Sequence, residues 1–309
     1  MSARGPVGIG FVLIGLLVAP TEAAAQLQET TSFLARVSNE YRVVPNVVYH
    51  VASDTENTLD LYLPRNATGA TPVLMYIHGG GWVGCAKESN VLRLLAYLEM
   101  GWAVVNVEYR LGAVARAPAA VEDCLYALRW VIANAEEYNF DTSRIVTTGN
   151  SAGGHLALTT AMIPESAGLD RECPGPETLH VAAVINWYGI TDVVDLLDGA
   201  NMKGYAVRWM GSLENRFAIA ERVSLLTYVS SRVPPILSIH GDADPTVPYE
   251  HAVMLHEKLS AAGVSNDLHT VPGGGHGGFN RKETLAIFAT IQDFLDEHGL
   301  RPRGGTSQE

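Results

Sequence analysis

Cysteine is scarce: Cys85, Cys124 and Cys173 are the three in 309 residues, and no two of them have C-x-x-C spacing. That excludes a cysteine framework or a thiolate metal motif as the organising element. One disulfide could form, and the sequence does not choose among the three pairings. A chain of this length can bury a core large enough to fold without such staples. Positive charge is scarce as well, with 21 Lys and Arg against 33 Asp and Glu, a formal net charge of -12. With no basic field to displace counterions, a nucleic-acid partner is not expected. Stable adsorption on an anionic membrane is disfavoured for the same reason. Neither G-x-x-x-x-G-K-[ST] nor G-x-G-x-x-G occurs, so no phosphate-cradling loop is indicated. Internal repeats and low-complexity linkers are missing too.

One long apolar run does occur, Val7 to Ala19, with Arg4 before it, Pro20 ending it and Ala23-Ala24-Ala25 preceding Gln26. This is the pattern of a secretory signal peptide over residues 1–25. The run is short for a membrane span, and an uncleaved N-terminal anchor is the alternative. No Cys follows it, so a lipid anchor is not indicated. The expectation is export to the periplasm or beyond, with residues 26–309 forming one domain.

Along that domain, short β-branched runs alternate with helical stretches. Strands are expected at Val43–Val51, Leu59–Leu63, Pro72–His78, Trp102–Tyr109, Arg144–Thr148, Val181–Tyr188, Pro235–His240 and Leu268–Val271. Helices are expected at Lys87–Met100, Pro118–Ala135, after residue 151, at Tyr249–Ala262 and at Lys282–His298. The first two strands read as an antiparallel pair. The rest predicts a mostly parallel central sheet with helices on both faces. Residues 190–232 break the alternation and read as a small cap-like insertion over the site.

The strand at Arg144–Thr148 runs into Gly149-Asn150-Ser151-Ala152-Gly153, the form of a strand–turn–helix elbow that lifts a serine above the sheet. A serine hydroxyl is a weak nucleophile until a base takes its proton. His276 is the candidate base, because Pro272-Gly273-Gly274-Gly275-His276-Gly277-Gly278 can carry an imidazole over the sheet end. His78 and His240, each before a glycine at a strand end, read as loop-shaping residues. A carboxylate must hold the imidazole in its productive tautomer. His240-Gly241-Asp242-Ala243-Asp244-Pro245 offers two, with Asp244 favoured and Asp242 better placed to brace the turn. His78-Gly79-Gly80-Gly81-Trp82 supplies bare N–H groups for a developing oxyanion, assigned to Gly80 and Gly81 together with Ala152, with Gly79 as the fallback. Trp82 either walls the substrate pocket or packs beneath its loop, and Asn150 is the second candidate pocket residue. Cys85, beside this loop, reads as a small packing residue. His78, Ser151, Asp244 and His276 all fall at carboxyl ends of strands, where ligands bind in such sheets.

As a set, His78-Gly79-Gly80-Gly81-Trp82, Tyr109-Arg110-Leu111, Ser151-Ala152-Gly153-Gly154-His155-Leu156-Ala157 and His240-Gly241-Asp242-Ala243-Asp244 resemble the α/β-hydrolase esterases. The BD-FAE-like (bifunctional feruloyl and acetyl-xylan esterase-like) branch, near the hormone-sensitive-lipase-like esterases, is the most similar group, over roughly residues 45–298. The hormone-sensitive-lipase pattern has Asp where this chain has Asn150, and its Asp-Tyr-Arg-Leu-Ala-Pro-Glu is here Glu108-Tyr109-Arg110-Leu111-Gly112-Ala113-Val114. The resemblance implies a cofactor-free hydrolase of small or carbohydrate-linked carboxylic esters, such as acetyl or feruloyl esters, using Ser151, His276 and Asp244. Arylformamidases share a similar layout, which makes amide hydrolysis the alternative. A catalytically silent binding protein would be expected to have lost members of the set.

Overall fold

The computed structural model describes residues 22–170, 175–212 and 214–302. Residues 1–21 of the expected leader, and Cys173, lie outside them. Eight strands form one sheet: β1 (Tyr41–Ala52), β2 (Thr55–Pro64), β3 (Thr71–Ile77), β4 (Ala103–Val107), β5 (Phe140–Asn150), β6 (Ala183–Trp187), β7 (Ile236–Gly241) and β8 (Asn266–Val271). Their spatial order is β1-β2-β4-β3-β5-β6-β7-β8. The β1–β2 and β2–β4 pairs are antiparallel and all the others parallel. This is the mostly parallel sheet that the alternating runs predict.

The continuous apolar runs have a simple cause. In β3, Val73, Met75 and Ile77 face one core, and Leu74 and Tyr76 face the other. A strand buried on both faces has no polar side to show. The first core takes α3 (Ala119–Ala133) and α5 (Ala152–Met162), with α8 (Glu250–Ala261) further along; the second takes α2 (Val91–Glu99) and α9 (Arg281–Glu297). A capping box starts α9: the Asn280 side chain accepts from the Glu283 N–H at 3.0 Å, and the Glu283 carboxylate accepts from the Asn280 N–H at 2.8 Å.

Two further helices were not signalled by the sequence pattern. The helix α1 (Glu22–Glu40) packs only lightly on the body and leaves Leu27 and Leu34 exposed, which blurs its apolar periodicity. It begins before the expected cleavage point at residue 25. The short α4 (Ala135–Tyr138) closes on Asn139 in the left-handed conformation. Between β6 and β7 the insertion folds into α6 (Gly204–Met210) and α7 (Arg216–Val223). Its Tyr205 hydroxyl donates to the Thr246 carbonyl at 3.1 Å, and Lys203 Nζ donates to the Pro245 carbonyl at 3.0 Å. The insertion is therefore tied to the loop that follows β7.

Candidate active site

β5 ends at Asn150 and α5 begins at Ala152, so Ser151 alone makes the turn. Its φ of 57° and ψ of −122° lie in a region that L-residues rarely occupy. The neighbouring backbones hold it there. A Cβ on Gly149 would come within 2.5 Å of the Ile77 carbonyl oxygen, and one on Gly153 within 2.6 Å of the His78 carbonyl oxygen. Only glycine fits at either flank. The Ser151 N–H donates to the Trp187 carbonyl on β6 at 2.9 Å, pinning the elbow to the next strand.

Asp244 sits in the loop after β7 with its carboxylate fully buried. Its Oδ2 accepts from Nδ1 of His276 at 2.6 Å and lies 3.3 Å from Nε2 of His240. Its Oδ1 accepts from the N–H groups of Thr246 at 2.7 Å and Val247 at 3.1 Å. Burial alone would raise the pKa of this carboxyl. The hydrogen bonds from His240, His276 and Thr246 outweigh burial and hold it well below the usual carboxylate range. Asp242 is exposed, and its Oδ1 accepts from the Gly273 N–H at 2.6 Å, bracing the turn. What each carboxylate touches separates the two candidate acids. With Nδ1 engaged, His276 has Nε2 as its remaining nitrogen. No hydrogen bond joins that nitrogen to Ser151 Oγ among the described residues.

The loop after β3 takes Gly80, Gly81 and Trp82 through φ values of 113°, 60° and 59°. Gly80 and Gly81 tolerate this, and their N–H groups, like that of Ala152, donate to no backbone carbonyl among the described residues. The Ala152 N–H is one of the unsatisfied donors at a helix start. The loop is braced from behind. The His78 ring stacks on Tyr109 at 4.3 Å, its Nε2 lies 3.1 Å from Glu108 Oε1, and the Tyr109 hydroxyl donates to the His78 carbonyl at 3.1 Å. Trp82 is fully buried, stacks on Trp209 of α6 at 4.1 Å and donates to Nδ1 of His155 at 3.2 Å. It packs beneath its loop instead of walling the cavity. Cys85 and Cys124 are free thiols, the first exposed and the second buried.

A cavity of about 490 Å³ opens beside the elbow, bordered by Asn150, Trp187, Gly277 and Phe279. The Asn150 Oδ1 that faces this region accepts from the Tyr76 hydroxyl at 2.9 Å. Larger cavities of 730 Å³ near Arg129 and 550 Å³ near Arg36 contain none of the motif residues. Two residues join the site that the sequence reading did not place there. His240 reaches Asp244, and Tyr188, with φ of 40° just past β6, lays its ring 4.6 Å from that of His276. The Tyr188 contact joins distant parts of the chain, whereas that of His240 spans only four residues and depends on how the loop after β7 turns back.

Two family models match the chain, BD-FAE over residues 59–259 and TAP-like protein over residues 220–307. Esterase LipQ of Mycobacterium tuberculosis is 29% identical over 254 residues, which cover 78% of this chain and 59% of LipQ. The chain spans less than two thirds of the length of LipQ and of the other mycobacterial relatives it matches. A solved structure of a truncated carbohydrate esterase from gut microbiota is 28% identical, with a TM-score of 0.67, covering 84% of this chain and 97% of that one. The butyrate-bound esterase Est2 of Thermogutta terrifontis is 26% identical, with a TM-score of 0.71 and coverage of 86% and 96%. The BD-FAE match takes in more than half of the chain, and with the sheet order and strand-end site described above it identifies the protein as a member of the BD-FAE family with an α/β-hydrolase fold.

Proposed function

We propose that this chain is a carboxylic ester hydrolase that works through an acyl-enzyme on Ser151. The observation that carries the reading is the buried Asp244 carboxylate bonded at 2.6 Å to Nδ1 of His276, after β7 and β8 of the same parallel sheet whose β5 ends in a serine held on a strained elbow. In this reading Nε2 of His276 takes the Ser151 proton as Oγ attacks the acyl carbon. Asp244 keeps Nδ1 protonated and stabilises the imidazolium that results. The oxyanion forms against the N–H groups of Gly80, Gly81 and Ala152, which donate to no backbone carbonyl among the described residues. His276 then delivers its proton to the leaving alcohol, and water attacks the acyl-serine by the same steps in reverse. Catalytic hydrogen bonds are often open before substrate arrives, so the Ser151–His276 bond is expected to close in the complex.

The substrates in this reading are small or carbohydrate-linked esters. The likeness to a carbohydrate esterase and to an esterase holding butyrate supports short acyl groups. Residues 190–232 act as the cover of the site, supported by the ties of Lys203 and Tyr205 to the loop that carries Asp244. Arg4, the apolar run to Ala19 and the Ala23-Ala24-Ala25 site support export. Among the described residues no helix is long and apolar enough to cross a membrane.

The test is hydrolysis by the purified protein of p-nitrophenyl acetate, butyrate and decanoate, methyl ferulate, acetylated xylan and N-formylkynurenine, each beside Ser151→Ala. Serine-dependent turnover of short or sugar-linked esters is the expected result. Turnover confined to the formyl amide would replace ester hydrolysis with amide hydrolysis, and no turnover at all would overturn the enzymatic reading.

A further inference from the structure

The cavity beside the elbow has one charged side chain on its wall. Arg93, on α2, lines it together with Tyr97, Asn150, Trp187, Phe279 and Phe288, and among the described residues the wall contains no Asp or Glu. Arg93 is exposed and enters no ion pair among the described residues. Its charge favours the ionisation that burial opposes in Tyr76, Tyr97 and Tyr188, and at Tyr188 hydrogen bonding from the guanidinium acts in the same direction. Tyr76 is bonded to Asn150, and Tyr188 lies against His276. The cation and the cavity therefore adjoin the chain neighbours of Ser151 and His276, namely Asn150 and Gly277.

The setting makes this cation informative. The chain has a formal net charge of -12, so its general field repels an anionic molecule. A single guanidinium on the wall of an aromatic cavity offsets that repulsion at one place. Its planar fork of N–H donors matches a carboxylate in two parallel hydrogen bonds, while the aromatic walls cover an apolar stem.

We propose that this cavity receives the part of an ester that bears a carboxylate, and that Arg93 is the specificity-determining residue that selects it. The inference rests on the ester-hydrolase reading above. A carboxylate on the acyl part and one on the alcohol part present the same chemistry to Arg93, and the substrates of the test tell them apart.

The experiment measures kcat/KM of the full chain on two matched pairs. The mono-p-nitrophenyl ester of glutaric acid is compared with p-nitrophenyl butyrate, and 4-acetoxybenzoate with phenyl acetate. The readout is the ratio of anionic to neutral substrate within each pair. The expected result is a ratio above one in one pair, which identifies the part that enters the cavity. That ratio should fall about tenfold or more in Arg93→Gln, the scale of a lost charge-assisted hydrogen bond. It should be partly kept in Arg93→Lys and should decline with added salt in the unaltered protein. Neutral esters turned over with no anionic preference in either pair would overturn the inference and leave the hydrolase reading standing. A ratio unmoved by Arg93→Gln would do the same. Failure to hydrolyse any of the four would overturn both. Should Arg93→Gln fold poorly, the salt dependence and Arg93→Lys carry the same decision.

Discussion

The indole N–H of Trp82 donates to Nδ1 of His155 at 3.2 Å, which fixes that histidine in its neutral Nε2–H form. The Nε2–H in turn donates to the Val223 carbonyl at 2.8 Å. Burial, opposed only in part by the bond to Val223, pushes the His155 pKa down to about 4. Burial also lowers the pKa values of His251 and His256. Between pH ~6.5, where an unfolded histidine titrates, and about 4 the unfolded chain takes up protons that the folded chain refuses. Stability should therefore fall as pH drops through that window, by up to roughly 1.4 kcal/mol per pH unit for each such histidine. Asp244 adds to the loss only below the ordinary carboxylate range, where its donors lose their charged acceptor. Urea unfolding from pH 7 to pH 4.5 measures the slope, and His155→Gln should flatten it. An equal slope in both proteins would contradict the assignment.

The two acidic residues of the loop after β7 should behave differently. Asp244→Asn leaves Nδ1 of His276 without its charged partner and should lower kcat on p-nitrophenyl butyrate by about 10⁴-fold, a smaller loss than that of Ser151→Ala. Asp242→Asn keeps an oxygen to accept from the Gly273 N–H and should cost less than about tenfold. Reversal of that order would move the acid to Asp242.

Backbone contact at the elbow predicts a large effect from a single methyl group. Gly153→Ala drives a Cβ into the Ile77 and His78 carbonyls and should destabilise by about 1–3 kcal/mol or more. Gly69→Ala meets nothing within 4 Å and should change stability by less than about 0.5 kcal/mol. Thermal unfolding of the two variants side by side checks this, and equal midpoints would be incompatible with the packing described.

The pair formed by Trp82 and Trp209 predicts a link between the insertion and the glycine loop. Trp209→Ala removes the ring stacked at 4.1 Å under that loop and should destabilise by about 3–5 kcal/mol. Its loss of kcat should exceed that of a core change of equal cost on the opposite face, such as Phe294→Ala at α9. Equal losses of kcat would mean that Trp209 serves the fold without steadying the loop.

The parts of this molecule that were readable in advance are those whose constraints are local. Continuous apolar runs such as Val73 to Ile77 announce strands buried on both faces. Gly149 and Gly153 announce the elbow because two backbones cross where a side chain would be. His276 is visible through the glycines around it. Other features depend on how the chain turns and packs in three dimensions. His240 reads as a loop residue until the fold sets it 3.3 Å from Asp244. Trp82 has two equal readings until a φ of 59° and the arrival of Trp209 turn its ring downward. The helices α6 and α7 pack Trp209, Met210 and Ile219 into a loop-lined corner of the core, so they lack the clean periodicity of a helix lying on a sheet. Arg93 looks like an ordinary surface cation until the cavity beside it is seen.

The order of strands in the sheet has a consequence for synthesis. β3 and β5, at its centre, bring the glycine loop and Ser151 together, while Asp244 and His276 arrive with β7 and β8, the last two strands and the last two places in the sheet. On the ribosome, at about 5–20 residues per second, the nascent chain carries its serine for on the order of ten seconds before the histidine is made. If the proposed roles of Ser151, Asp244 and His276 hold, a chain still being translated is unarmed, and a prematurely terminated one stays so.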